Sequence, residues 1–324
     1  MRRRDFIRIF GGATVAWPIG AHAQQPAKMR RLGVLLYSTP QGDPQMETVR
    51  SGLRELGYVE GQNLVISYHY AEGKSERLPD LAAALVREKP DLVLALGGDV
   101  APYAVKATST IPIVFVSSAD PVQLGLATSL ARPAGNATGV TLLLDDLASK
   151  RLELLKEAAP RVKHPAFLWN PDHPDNELRE AQRAAQSLDV QLQLAEVRSS
   201  GDLENAFRAV TGAGCDALYV VSSRHTSLNM PTIVGFAMRN RLPLAGGWGA
   251  WARAGGVLSY GPNVNDMSRR AVDYLDKILK GAKPVDLPIQ QPTRFELVIN
   301  AKAAKTIGID VPPTLLARTD EVIE

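Results

Sequence analysis

Residues 92–121 read LVLALGGDVAPYAVKATSTIPIVFVSSADP, and this stretch decides the fold. Leu92–Leu96 and Ile113–Val116 are short unbroken apolar runs, partly β-branched and bounded by Gly and Pro. A strand covered on both faces of a parallel sheet needs that composition. Between the two runs lie a glycine turn, Gly97-Gly98-Asp99, and a short helix; the second run breaks into Ser117-Ser118-Ala119-Asp120-Pro121. In open α/β sheets, ligands gather beyond the carboxyl ends of strands, where N–H groups at helix starts point into the crevice. Gly97, Gly98, Asp99, Ser117, Ser118 and Asp120 fall at such ends and form half of an expected ligand site.

Upstream, the pattern predicts a strand at Leu32–Tyr37, the loop Ser38–Pro44, and a helix burying Val49, Leu53 and Leu56 that stops at Gly57. A strand at Leu64–Tyr70 and a helix from Ser75 to Arg87 follow. Beyond Gly139-Val140-Thr141-Leu142 the pattern restarts. Strands are expected at Ala166–Trp169, Val190–Val197, Ala217–Val221 and Leu242–Ala245, with helices at Glu177–Leu188, Asp202–Thr211 and Pro231–Asn240 between them. Polar loops fall at matching places in the two copies, as LVLALGGD (92–99) and ALYVVSSR (217–224) illustrate. Alternating βα units build a parallel three-layer sandwich, and two copies build two doubly wound α/β lobes.

The tail breaks the symmetry, with a strand at Val257–Tyr260, a helix capped by Asp266, a last strand at Phe295–Ile299 and a last helix at Ala301–Ile307. A further crossing near Ser259-Tyr260-Gly261 gives a hinge of three segments that opens and shuts without sliding. The expected division is 31–141 plus 261–285 for the first lobe and 142–260 plus 286–324 for the second.

The formal charge is +3, but residues 1–23 hold four arginines against one aspartate and so carry all of the excess. With the remainder balanced and no block of like charge, a nucleic-acid partner is not expected. Residues 1–23 combine a basic start, a short apolar middle and Ala21-His22-Ala23 at the end, as a cleaved secretory signal does, and 24–30 read as a linker. Arg3-Arg4 followed by Asp5, Phe6, Ile7 and Arg8 resembles a twin-arginine export motif. No cysteine stands at the cleavage point and no later apolar stretch spans a bilayer, so a free periplasmic protein is expected. Cys215 is the sole cysteine and reads as a small buried hydrophobe.

The remaining site candidates each carry a structural alternative. Asp99 also fits a helix N-cap and Asp120 a turn initiator. Ser38 and Thr39 follow the first strand, Trp169 and Asn170 end the strand that opens the second copy, and Ser222, Ser223 and Arg224 end another. Arg224 offers a planar fork for a carboxylate or a salt bridge across the hinge. Trp248, in the Gly-rich loop 248–251, suits a lid or surface packing; Tyr260 suits the hinge or interlobe packing. No motif for a nucleophile elbow, a zinc protease, a Walker loop or a dinucleotide fold is present, and His69, His164, His173 and His225 lack metal-ligand spacing. An enzyme, a metal and a cofactor are therefore not expected.

Several longer runs carry a resemblance: GLRELGYVEGQNLVI (52–66), IPIVFVSSADPVQLGLATSLARPAGNATGV (111–140), KRLELLKE (150–157), LSYGPN (258–263), KILKGAKPVDLPIQQPTRFELVINAKAAKTIGI (277–309) and PPTLLARTDEVIE (312–324). They resemble the ABC-transporter substrate-binding protein family that includes tryptophan- and tyrosine-type binding proteins, over essentially the whole chain past the signal. The resemblance implies the type I periplasmic binding fold, a small-molecule ligand between two lobes, and an inner-membrane ABC permease as partner. It also implies a Thr at the position of Asp99 for a ligand carboxylate, and an Asp near Ser223-Arg224 for a ligand ammonium. Those two departures exchange the expected polarity and argue against tryptophan or tyrosine. The expectation is a monomeric periplasmic solute-binding protein for an amine-bearing or zwitterionic metabolite, with a periplasmic sensor feeding a membrane receptor as the alternative.

Overall fold

The computed structural model describes residues 29–40, 43–97, 100–133, 135–173 and 176–324. The expected signal, most of the linker, Gly98 and Asp99 lie outside the described residues.

The first half of the chain runs β1 (Arg30–Leu36), α1 (Pro44–Glu55), β2 (Leu64–Tyr70), α2 (Leu78–Arg87), β3 (Leu92–Leu96), α3 (Ala101–Ala107), β4 (Ile113–Ser117) and β5 (Ala137–Thr141). These strands form a parallel sheet in the order β2-β1-β3-β4-β5. The second half opens with α4 (Ala148–Ala158), β6 (Pro165–Trp169), α5 (Glu177–Ser187), β7 (Gln193–Glu196) and α6 (Leu203–Gly212). It continues with β8 (Ala217–Val220), α7 (Arg224–Leu228), α8 (Met230–Arg239), β9 (Leu244–Gly246), α9 (Ala250–Arg253) and β10 (Leu258–Pro262). The tail adds α10 (Val264–Leu279), β11 (Phe295–Asn300), α11 (Ala301–Thr306), α12 (Pro313–Leu316) and β12 (Glu321–Ile323).

The second sheet has the order β12-β11-β10-β9-β8-β6-β7. Read from β7 to β10, it repeats the order of the first sheet. The expected two-lobe duplication is thus present as two α/β lobes with matching strand orders. Only the β10–β11 pairing is antiparallel among the described strands. β10 runs to Pro262, so the chain is still in the second sheet at position 261, where the first lobe was expected to resume.

The central strands of each sheet are buried on both faces, which explains why β1, β3, β4, β6 and β8 are largely apolar, while the edge strands β2, β7 and β12 are less buried and more mixed. In the first lobe, Met46, Val49 and Leu53 of α1 pack on one face together with Met267, Ala271, Leu275 and Ile278 of α10. The opposite face takes Leu78, Ala82 and Leu85 of α2 and Ala101 and Ala104 of α3. A helix from the tail therefore completes the first lobe. Its cap is Asn263, whose side chain accepts from the backbone N–H groups of Asn265 and Asp266. Asp266, the expected cap, lies inside the first turn instead. Cys215, expected to be buried, is half-buried, and desolvation pushes its thiol pKa up.

The chain passes between the sheets three times, through 142–147, at 263 and through 280–294. The third passage lies against β5: Thr141 N–H donates to the Gln290 carbonyl at 2.9 Å, and Gln290 N–H donates to the Gly139 carbonyl at 3.0 Å.

Candidate functional site

An order of 2-1-3-4-5 has its switch point between the first and third strands, because the connections leave in opposite directions there and open a crevice. In the first lobe the loops after β1 and β3 flank that point; in the second it is the loops after β6 and β8. Contacts between the lobes run between these strand ends. Tyr37, after β1, meets His225 edge-on with centroids 6.4 Å apart. Ser118 Oγ, after β4, lies 3.3 Å from Nε2 of His173, after β6. The lobes are shut on each other.

Arg224 is the strongest link. It follows Ser223, which caps α7 by accepting from Thr226 N–H. Its guanidinium crosses the cleft to donate to Gln45 Oε1 at 2.7 Å and to pair with the Asp43 carboxylate. Asp43 is also the N-cap of α1, accepting from Gln45 N–H at 3.0 Å. Burial draws the Arg224 guanidinium down to about 10, so it remains charged at neutral pH. The expected carboxylate fork is thus engaged by a carboxylate of this chain, across the cleft and not within the hinge.

Arg224→Gln is expected to open the ligand-free protein instead of unfolding it. Removing one partner of a buried pair normally strands the other charge. Here the lobes can part and let Asp43 reach water. Small-angle scattering should register a larger radius of gyration with a nearly unchanged melting temperature; an unchanged radius would sink the latch.

The other candidates separate into those that face the cleft and those used inside a lobe. Ser38 is buried, and its Oγ has no hydrogen-bond partner among the described residues. Thr39 beside it is half-buried, and Gly97 closes β3 with φ 129°, a conformation suited to glycine. Asp120 accepts from Val122 N–H at 2.8 Å, as a turn initiator does, and it also lines an interlobe cavity of about 170 Å³ with Leu143, Asn176 and Gln291. Asn176 bonds Gln123 across that cavity. Trp169 Nε1 is buried at the end of β6 without a partner among the described residues, and the Asn170 carboxamide accepts from Asp172 N–H at 2.9 Å.

Ser117 donates to the Ala119 carbonyl at 2.9 Å and so serves its own loop. Ser222 is fully buried and accepts from Arg151 at 2.8 Å, inside the second lobe. Trp248 packs against apolar clusters of both lobes, as a hinge side chain does and a lid does not. Tyr260 pairs with Leu297 in the second sheet, and its half-buried ring sits 6.2 Å from Phe295 and packs against the second lobe's core.

Sequence reasoning missed Tyr37, Asp43, Gln45, His173 and His225. Spacing tests a histidine only as a metal ligand, and among the described residues no group of three or more His, Cys, Asp or Glu is arranged to hold a metal. His225 is almost fully buried, and desolvation lowers its pKa, with nearby His173 acting the same way and Asp202 opposing them. Its Nε2 has no partner among the described residues.

A model of the family described as ABC transporter substrate binding protein matches residues 34–323. The tyrosine-binding protein of Clostridioides difficile is 24% identical over 285 residues, which cover 87% of this chain and 82% of that protein. A conserved domain protein from Vibrio cholerae, solved by crystallography, superposes with a TM-score of 0.82 at 28% identity, over 91% of this chain and 100% of that one. An ABC domain from Streptococcus pneumoniae in complex with L-Trp gives 0.80 at 25% identity, with the same coverage. Among the described residues, no helix is long and apolar enough to cross a membrane.

Proposed function

The chain belongs to the ABC transporter substrate-binding protein family, and from that premise we propose that it is the periplasmic solute-binding component of an ABC importer. It captures a small amine-bearing or zwitterionic metabolite between its lobes and presents the closed form to an inner-membrane permease. The observation that carries this reading is a pair of buried polar atoms without a partner among the described residues, on the two segments that meet through Tyr37 and His225: Ser38 Oγ and His225 Nε2. Buried polar groups are ordinarily hydrogen-bonded, and a site awaiting its ligand is where exceptions collect.

The ligand class follows from what the cleft offers. Arg224, the guanidinium that crosses the cleft, is already held by Asp43, and Arg179, which lines the interlobe cavity with Asp120, stands among Glu180, Asp145 and Asp146, so carboxylates outnumber cations there. Hydroxyl and imidazole acceptors, with Asp120 at the rim, suit an ammonium. The relatives' ligands, tyrosine and L-Trp, carry an ammonium beside a carboxylate, which supports a zwitterion. Asp99 is proposed to add a first-lobe carboxylate to the same site.

Transport needs the ligand to favour the closed form, since a ligand with equal affinity for both forms shifts no population. A thermal-shift panel of amino acids, amines, nucleosides and carboxylates is the direct test. Amine-bearing compounds should raise the melting temperature, by a stabilisation of about 2.7 kcal/mol at a hundredfold excess over Kd. Stabilisation by dicarboxylates alone, unchanged in Asp99→Ala and Asp120→Ala, would overturn the proposal.

A further inference from the structure

We propose that His225 is the specificity-determining acceptor for the ligand's ammonium group, with Ser38 Oγ joining it from the opposite lobe; this rests on the solute-binding reading above.

His225 sits on α7, the short helix that Ser223 caps at the end of β8. Its ring is pinned edge-on against Tyr37 of the first lobe, and the Tyr37 hydroxyl is itself anchored on the Gly73 carbonyl at 2.7 Å. The imidazole is 2% exposed, and its Nε2 is buried with no partner among the described residues. Ser38 follows Tyr37 directly in the chain, is 1% exposed, and has an Oγ in the same condition. One unsatisfied atom thus belongs to the ring that meets Tyr37, and the other to the residue that follows Tyr37 in the chain. Each would lose hydration on closure with nothing in exchange unless a ligand supplied the partner.

The polarity of that partner follows from the charges around the ring. Tyr37 faces it from just after β1, His173 from the loop after β6, and Asp202 from the turn before α6. The neighbouring Arg224 is turned away into its pair with Asp43. Desolvation holds the ring below the ordinary histidine value, so at neutral pH it is uncharged. With its proton on Nδ1, an uncharged imidazole accepts at Nε2 from an ammonium; the other neutral tautomer would donate to a carboxylate, and the proposed tautomer is the first. Lowering the pH protonates the ring, removes the acceptor and sets a like charge beside the ligand, so affinity falls with pH.

The pair with Asp43 takes Arg224 out of play and so removes the second-lobe objection to aromatic amino acids. Calorimetric titration with two matched sets of probes, drawn from the ligands of the relatives, tests the inference: L-tyrosine, tyramine and 3-(4-hydroxyphenyl)propionate, and L-tryptophan, tryptamine and indole-3-propionate. The wild type should bind members that keep the amine and not the acids, and should bind progressively more weakly as the pH is taken from about 7.5 down past the ordinary histidine value of about 6.5. The loss falls on the acid side of that value because burial lowers the ring's pKa. His225→Leu should weaken binding roughly 10- to 100-fold, the range of a lost charge-assisted hydrogen bond. His225→Gln, which places an amide oxygen near the position of Nε2, should bind within a few-fold of wild type and lose the pH dependence. His164→Gln, at the far end of β6, should change nothing. Binding that survives His225→Leu undiminished, or that strengthens on acidification, overturns the inference and leaves solute binding standing. If none of the six probes binds the wild type, the amine-ligand reading falls and the inference with it.

Discussion

Arg151→Met is expected to lower the unfolding free energy by about 3–5 kcal/mol, the range for breaking a buried ion pair by removing one partner. Arg151 lies on α4 and is fully buried, as is Glu177 at the start of α5. One of its guanidinium nitrogens donates to Glu177 at 2.9 Å and to Ser222 at 2.8 Å; another donates to the Leu144 carbonyl at 2.6 Å. Glu177 also accepts from Ser222 N–H at 3.1 Å. One side chain therefore ties the first passage between lobes to the strand end that walls the cleft. Methionine matches the length of the arginine stem and leaves Glu177 charged in an apolar site. The double variant Arg151→Met with Glu177→Leu should recover most of the loss, because no charge then remains unpaired. Urea titration of both variants decides the matter: equal midpoints for wild type and R151M would refute the assignment.

Gly261→Ala is expected to be among the most damaging single methyls at the described glycines, at about 3 kcal/mol, the upper part of the range for overpacking. A Cβ at 261 would lie 1.8 Å from the Gly247 carbonyl oxygen, which is backbone and cannot swing aside. Gly247 is itself hemmed in, since a Cβ there would meet Ser222 Oγ at 1.9 Å. Any shift that accommodates the added methyl is thus passed to the cleft wall, and ligand affinity should fall along with stability. Gly57→Ala provides the contrast. Its φ is 86° and nothing lies within 4 Å of the new methyl, so only backbone strain of about 1–2 kcal/mol is expected. Thermal unfolding of the two variants, with ligand titration of G261A, should separate them; similar losses would refute the close-contact argument.

What could be read from the sequence was whatever local periodicity encodes. The apolar runs of β3 and β4 and the spacing in α2 and α6 are local signals, and the repeat emerged from their order. The helix α4 left a weaker trace, because LASKRLELLKEAA has charges on most of its circumference. Nothing local distinguishes a fully buried Arg151 from the exposed Lys150 beside it. α7 escaped notice because five residues cannot display a helical period.

The site was legible in its strand ends and not in its pairings. Arg224 stood out as a chemical group, but Asp43, which takes it, lies in another lobe, and no spacing rule connects them. Ser117 and Ser222 carried the right residue type at the right strand ends, yet one bonds within its own loop and the other within a buried cluster. Position relative to a sheet can be inferred from a pattern; the direction of a hydroxyl cannot.

Because α10 covers one face of the first sheet, that sheet is assembled from chain ends far apart in synthesis. Leu94, Leu96, Val114 and Val116 share a cluster with Leu275 and Ile278. While the ribosome has delivered only the first five strands, that face has α1 on it and no α10, so the part that α10 takes stands open to water and to other nascent chains. The second half is nearly complete before the first can finish. A chaperone that shields the early sheet, or transport that waits for the finished molecule, answers the same exposed surface.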